Sequence, residues 1–197
     1  METRERFNQA IAEFDLLNAQ DPNHRTVNGE TVPYELFFAN QMTDWVFQLD
    51  SNASEEVLLA ARCQHLCRWE IPRKNYPEGR VGYLTWRKEL KSFHADKSGE
   101  VLKKLGYDRV TIERIRTINL KQGLGKDKEV QIIEDALCLV FLEEQFDDLI
   151  TKTEEAKMIR IIQKTWAKMS DQAHEMALAL KLSDEGSRLV ADALGCE

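Results

Sequence analysis

Apolar residues recur three and four positions apart along almost the whole chain. Phe7, Ile11, Phe14 and Leu17 set the first stripe, which predicts a helix that ends where DPNHRTVNGETVP interrupts it with two prolines and a glycine. A second helix is predicted from about Tyr34 to Leu49, with Leu36, Phe37, Met42, Trp45, Val46 and Leu49 mostly inward. Asp50-Ser51-Asn52 reads as a turn, and Ser54 as the N-cap of a helix from Glu55 to about Trp69. Pro72, Pro77, Gly79 and Gly82 predict a loop before a helix from Leu84 to Leu105, which Gly106 ends at the C′ position. Thr111 to Leu120 is helical again, QGLGKDKE is a loop, and Val130 to Phe146 carries the strongest stripe in Ile132, Ile133, Leu137, Val140 and Phe141. The last third reads as one long helix, Glu154 to about Leu182, and a shorter one. No segment alternates with period two and no repeat is present. The predicted fold is all-α, in a single domain spanning residues 1–197.

Composition narrows the class. The 197 residues carry a net charge of −7, with 31% charged and 43% hydrophobic side chains, as in an ordinary globular domain with a sizeable core. No apolar run approaches the roughly 20 residues that span a bilayer, and METRERFNQ does not read as a signal peptide, so no membrane partner is expected. Cys63, Cys67, Cys138 and Cys196 form no CxxC pair and read as reduced thiols, which predicts a cytoplasmic protein. The acidic balance argues against broad nucleic-acid binding.

Against that acidic background, Ala60 to Arg87 stands apart. It holds Arg62, Arg68, Arg73, Arg80 and Arg87, together with Lys74 and the rings of Trp69, Tyr76, Tyr83 and Trp86. Fixed cations and rings at this density predict a site for a small anionic or phosphorylated ligand. On the expected helix Arg62, His65, Arg68 and Trp69 share a face, and like charge presses His65 towards its neutral form, the state that ligates metals. On its own, His65 is more simply a hydrogen-bonding core residue. Arg87, Lys91 and His94 share one side of the next helix. Glu134 and Asp135 lie inside the most hydrophobic helix, where an ionised carboxylate needs a partner; an arginine salt bridge and a metal ion both satisfy that need. Glu35 opens its helix, where the dipole favours an acid in any case. No phosphate-binding glycine loop, GxSxG or HExxH motif is present.

ARCQHLCRWEIPRKNYPEGRVGYLTWRKELKSFH, QIIEDALCLVFL and KTWAKMS resemble the family catalogued as domain of unknown function 4202, whose pattern runs from an alanine–arginine pair through QH, RW, PR, YP, GY, WR and FH to Q-x-x-ED and LVFL. The likeness covers most of the chain and brings no settled activity. A more distant resemblance, to the HD-domain superfamily of helical metal-dependent phosphohydrolases, implies more. AARCQHL resembles the helix that carries the His-Asp pair, FHADKSGEVLKKLGYDRVTIERIRTI the following histidine segment, and IEDALCL the late aspartate helix. That resemblance implies an HD-like helical bundle over about residues 33–150, with C-terminal helices over about 151–195 as an extension. By position it places Glu35 in the first-histidine slot, Gln64-His65 on the dipeptide, His94 on the following histidine and Asp135 on the last aspartate. The His-Asp dipeptide itself is lacking, and the first slot holds glutamate.

Two readings follow. In one, Glu35, His65, His94 and Asp135 hold a divalent metal ion, and Arg62, Arg68, Trp69, Arg73, Arg80 and Arg87 bind a small phosphorylated or nucleotide-like substrate that is hydrolysed. In the other the site is metal-free and non-catalytic, and the same cations hold an anionic metabolite or an RNA end. A docking role for the long C-terminal helix is the third reading, although its Met158, Ile161, Ile162, Trp166 and Met169 are more simply core contacts.

Overall fold

The computed structural model describes residues 2–195, so the reduced thiol expected at Cys196 lies outside the described residues. The chain is all-α apart from one small hairpin: α1 Glu2–Asn18, β1 His24–Val27, β2 Glu30–Pro33, α2 Tyr34–Leu49, α3 Glu55–Cys63, α4 Gly79–Lys104, α5 Arg109–Asn119, α6 Lys128–Glu144, α7 Phe146–Ile150, α8 Glu155–Trp166, α9 Asp171–Leu178 and α10 Asp184–Leu194. Two 3-10 turns, Arg68–Glu70 and Arg73–Asn75, lie between α3 and α4. No helix of the described residues is long and apolar enough to cross a membrane.

The α2, α3 and α6 helices form the centre. Phe38, Met42, Trp45 and Val46 of α2 face Val57 and Leu59 of α3 and Ile133 and Leu139 of α6, within one buried cluster that runs from Ala10 to Ala193. Burial of that apolar face, more than intrinsic propensity, stabilises each helix. On α2 the predicted Met42, Trp45, Val46 and Leu49 are buried and Phe38 joins them, while Leu36 and Phe37 are only half-buried.

Four features differ from expectation for physical reasons. The stretch read as a simple break forms a hairpin, with His24 opposite Pro33 and Val27 opposite Glu30. Asn28 and Gly29 turn it with φ of 51° and 84°, a two-residue turn that favours Asn-Gly. The helix predicted as far as Trp69 stops at Cys63, because the Leu66 carbonyl accepts from His94 Nδ1 at 2.9 Å and Cys67 reverses the chain at φ 54°. The C-terminal third is three helices. Ser170 and Ser183 accept from Ala173 and Gly186 backbone amides at 3.2 and 3.0 Å, capping α9 and α10. Met158, Ile162 and Met169 are buried in the common core, as expected of them.

α4 begins five residues earlier than predicted, at Gly79, and Gly82 makes that start fit. A Cβ there would lie 2.0 Å from the Pro77 carbonyl oxygen, which itself accepts from Arg73 at 2.9 Å. Gly82→Ala should therefore push the 72–78 turn off α4 and lower stability by about 1–3 kcal/mol in urea unfolding.

Candidate functional site

The site begins with a buried acid that the sequence reading passed over. Asp21 accepts from the Asn23 amide and side chain, both at 2.8 Å, and from the Glu35 amide at 3.0 Å. It thereby ties the chain before the hairpin to the first turn of α2. Glu35, 4% exposed, is held at the floor of a cleft. Its Oε2 lies 3.4 Å from His65 Nδ1, and its Oε1 lies 3.8 Å from Arg68 Nε. One turn along α2, Phe38 stacks on the His65 ring at 4.0 Å and 10°.

Hydrogen-bond partners assign both imidazoles. Arg68 can only donate, so at 3.4 Å His65 Nε2 accepts from it and the His65 proton sits on Nδ1, facing Glu35. His94 Nδ1 donates to the Leu66 carbonyl, which leaves His94 Nε2 as an acceptor. That atom is buried without a partner among the described residues, as is Glu35 Oε2. The two rings are 5.7 Å apart.

Above this floor lies a cleft of about 340 Å³, walled by Arg68, Trp69, Arg73, Lys74 and Trp86. Trp86 donates its indole N–H to the Ile71 carbonyl at 2.8 Å, and the Arg68 guanidinium lies 5.0 Å above the indole. Arg73 donates to the Tyr76 and Pro77 carbonyls, both at 2.9 Å, so the turn that carries it is braced by the same side chain. A larger hollow, about 460 Å³, lies between Tyr34, Arg25 and α6–α7. Its Arg25 is already paired with Glu144 at 2.5 Å, and it holds no comparable set of unpaired groups.

Charge in the floor follows from burial. Desolvation pushes the Glu35 carboxyl up to about 8, against the opposing pull of Arg68, so it is protonated at neutral pH. Desolvation, with Arg68 and Arg87 nearby, pushes His94 down to about 3, and burial with the same arginines holds His65 well below its usual range. Both rings are neutral at pH 7.

The structure brings Glu35, His65, His94, Arg68, Trp69 and Arg73 together and separates the rest. Because α3 ends early, Arg62 no longer shares a face with His65; it pairs with Asp15 of α1, Nη2 to Oδ2 at 2.7 Å. Arg80 is exposed on the first turn of α4, away from the cleft lining. Arg87 is half-buried on α4 beside His94 rather than in the cleft wall. Asp135 is spent elsewhere: it accepts from the Ser170 amide and hydroxyl at 2.9 and 2.6 Å and from Gln131 at 2.9 Å. Its neighbour Glu134 pairs with Lys121 and Lys168, where an arginine was expected. The four-ligand set thus gathers only in part, and no group of three or more His, Cys, Asp or Glu side chains among the described residues is arranged to hold a metal ion. The guanidinium of Arg68, against both Glu35 and His65, adds a fixed positive charge where a cation would have to sit.

Two predictions test this geometry. Glu35 carries its proton between the unfolded value near 4.5 and the folded value of about 8, so the folded state binds the extra proton and stability falls as pH rises through that window. Between about pH 7.5 and 8.5, above the range near 6.5 in which the histidines of the unfolded chain titrate, urea midpoints should decline for the wild type and stay flatter for Glu35→Gln. Asp135→Ala should cost about 1–3 kcal/mol through the lost Ser170 contacts, leaving ligand affinity at the cleft unchanged in calorimetry.

A family model described as Domain of unknown function (DUF4202) matches residues 8–190. No curated protein and no solved structure matches the chain significantly.

Proposed function

We propose, for this chain, which belongs to the DUF4202 family, that the cleft binds a small phosphorylated, nucleotide-like compound. One observation carries the reading: Arg68, Arg73 and Lys74 converge on one hollow with Trp69 and Trp86, and its single lining acid, Glu35, is kept uncharged by burial. A phosphoryl group would take the Arg68 guanidinium in bidentate fashion, while an indole face offers a surface for a flat ring. The hollow suits a small molecule better than a polymer, so an RNA end is the weaker alternative.

Hydrolysis of that compound is favoured over simple retention by the floor beneath it. Glu35, which lines the cleft and titrates near 8, can give or take a proton at neutral pH, and His94 Nε2, an acceptor without a partner among the described residues, is buried behind the lining. A second form of the reading, metal-dependent hydrolysis, is supported by that same His94. An imidazole with Nδ1–H held by a carbonyl and Nε2 free is oriented as ligating histidines are. Glu35 and His94 would hold the ion, joined by His65 only once its Nε2 was released from Arg68, and the ion would supply an activated water. The partial ligand set and the Arg68 charge weigh against this form, and no catalytic step is built on the ion.

Calorimetric titration with a panel of phosphorylated compounds, joined to hydrolysis assays with and without divalent cations, tests both. Arg68→Ala should weaken binding about tenfold or more, the loss of one charge-assisted contact. Wild-type protein that binds nothing on the panel, or a variant that binds as well as wild type, would overturn the cleft reading. Near-stoichiometric metal in the wild type that is lost from a folded His94→Ala variant would establish the metal form. None after reconstitution would return the site to anion binding alone.

A further inference from the structure

Near the cleft, four cations gather around one carboxylate. Lys121, in the turn after α5 at φ 56°, sends its ammonium to Glu134 of α6, and Lys168 reaches the other Glu134 oxygen at 3.4 Å. Lys91 donates to the Leu120 carbonyl at 2.9 Å, which brings α4 against that turn. Arg87 lies one helical turn before Lys91 on the same face of α4, and His94 three residues after it. Arg87 forms no ion pair among the described residues, and Lys91 has only a carbonyl. The neighbouring acid, Asp135, is turned to Ser170.

An ion-pair network that serves the fold alone tends to balance its charges; in this one Glu134 is buried and Lys121 nearly so, Arg87 and Lys91 are half-buried and Lys168 is half-exposed. Here Glu134, 4% exposed at its side chain, is shared by two ammoniums while a third and a guanidinium go without a carboxylate. Burial lowers the pKa of both Lys91 and Lys121, as expected of cations short of counter-charge. The cluster lies behind the cleft: Lys91 is three residues before His94 on α4, the His94 ring is 5.7 Å from that of His65, and His65 touches Arg68 and Glu35.

We infer that Arg87, Lys91, Lys121 and Lys168 form a second anion subsite, continuous with the cleft at His65, and that the ligand carries a chain of two or more phosphoryl groups. The inference rests on the cleft being a phosphate site. The first phosphoryl group would meet Arg68 and Arg73, and a further one would supply the charge that Arg87 and the lysines lack. A monophosphate would reach one subsite and leave the other uncompensated.

The test uses the full chain, metal-free, titrated calorimetrically with inorganic orthophosphate, pyrophosphate and tripolyphosphate. Affinity should rise along that series by about tenfold or more for the wild type, one added charge-assisted contact. Arg87→Gln strips no carboxylate of its partner, and Lys168→Gln lies on the half-exposed side of the cluster, so circular dichroism should show both folded. Each should abolish most of the gain with chain length while leaving orthophosphate binding as in the wild type; Arg68→Ala should weaken all three ligands. A gain that persists in both cluster variants, or a wild type that binds all three equally, overturns the second subsite and leaves the cleft standing. No binding of any of the three by the wild type overturns both.

Discussion

The hydrogen bond from His94 Nδ1 to the Leu66 carbonyl is the contact on which the site depends. It takes an oxygen that a longer α3 would use within its own helix, and so it belongs with the reversal at Cys67. It joins the middle of α4 to the end of α3, and it decides which nitrogen of His94 is free. Without that early end, Arg68 would project from the same helical face as Arg62, towards α1. With it, Arg68 crosses to Glu35, His65 and Trp86. Two arginines six positions apart thus take different work. Arg62 closes a contact with Asp15 between helices, and Arg68 faces a cleft.

The same reversal helps an acidic protein to build a cationic cleft. The carboxylates that outnumber the cations over the whole chain lie largely on other surfaces. At the site burial selects the charge state instead. Glu35 is neutral because desolvation outweighs Arg68, and the two imidazoles are neutral because desolvation and neighbouring arginines act in the same direction. What remains charged is positive: Arg68, Arg73 and Lys74 in the cleft, and beyond His65 the group around Glu134.

Local rules were legible where one local rule acted alone. The stripe of α6, the Ser54 cap and Gly106 beyond α4, at φ 78°, are read from spacing and residue type, and the structure shows each in place. The hairpin was legible too, since Asn28-Gly29 between Val27 and Thr31 is its turn signal, but strands of four residues are too short for alternation to register. Ser170 and Ser183 were visible N-caps inside an apolar pattern that ran across them. Nothing local distinguished Lys121, which matters because α4, α5 and α6 meet around it.

By itself the sequence determined the all-α class, the principal helices and the density of cations and rings from Ala60 to Arg87, because periodicity, caps and charge density are properties of neighbours along the chain. Only the tertiary structure decided which of those residues act together. It turned Arg62 and Asp135 to Asp15 and Ser170, gathered Glu35, His65, His94 and Arg68, and set their protonation. Those outcomes depend on burial and on partners 28 to 47 residues away, and a carboxylate or an arginine carries no mark in its own neighbourhood of the partner it will meet.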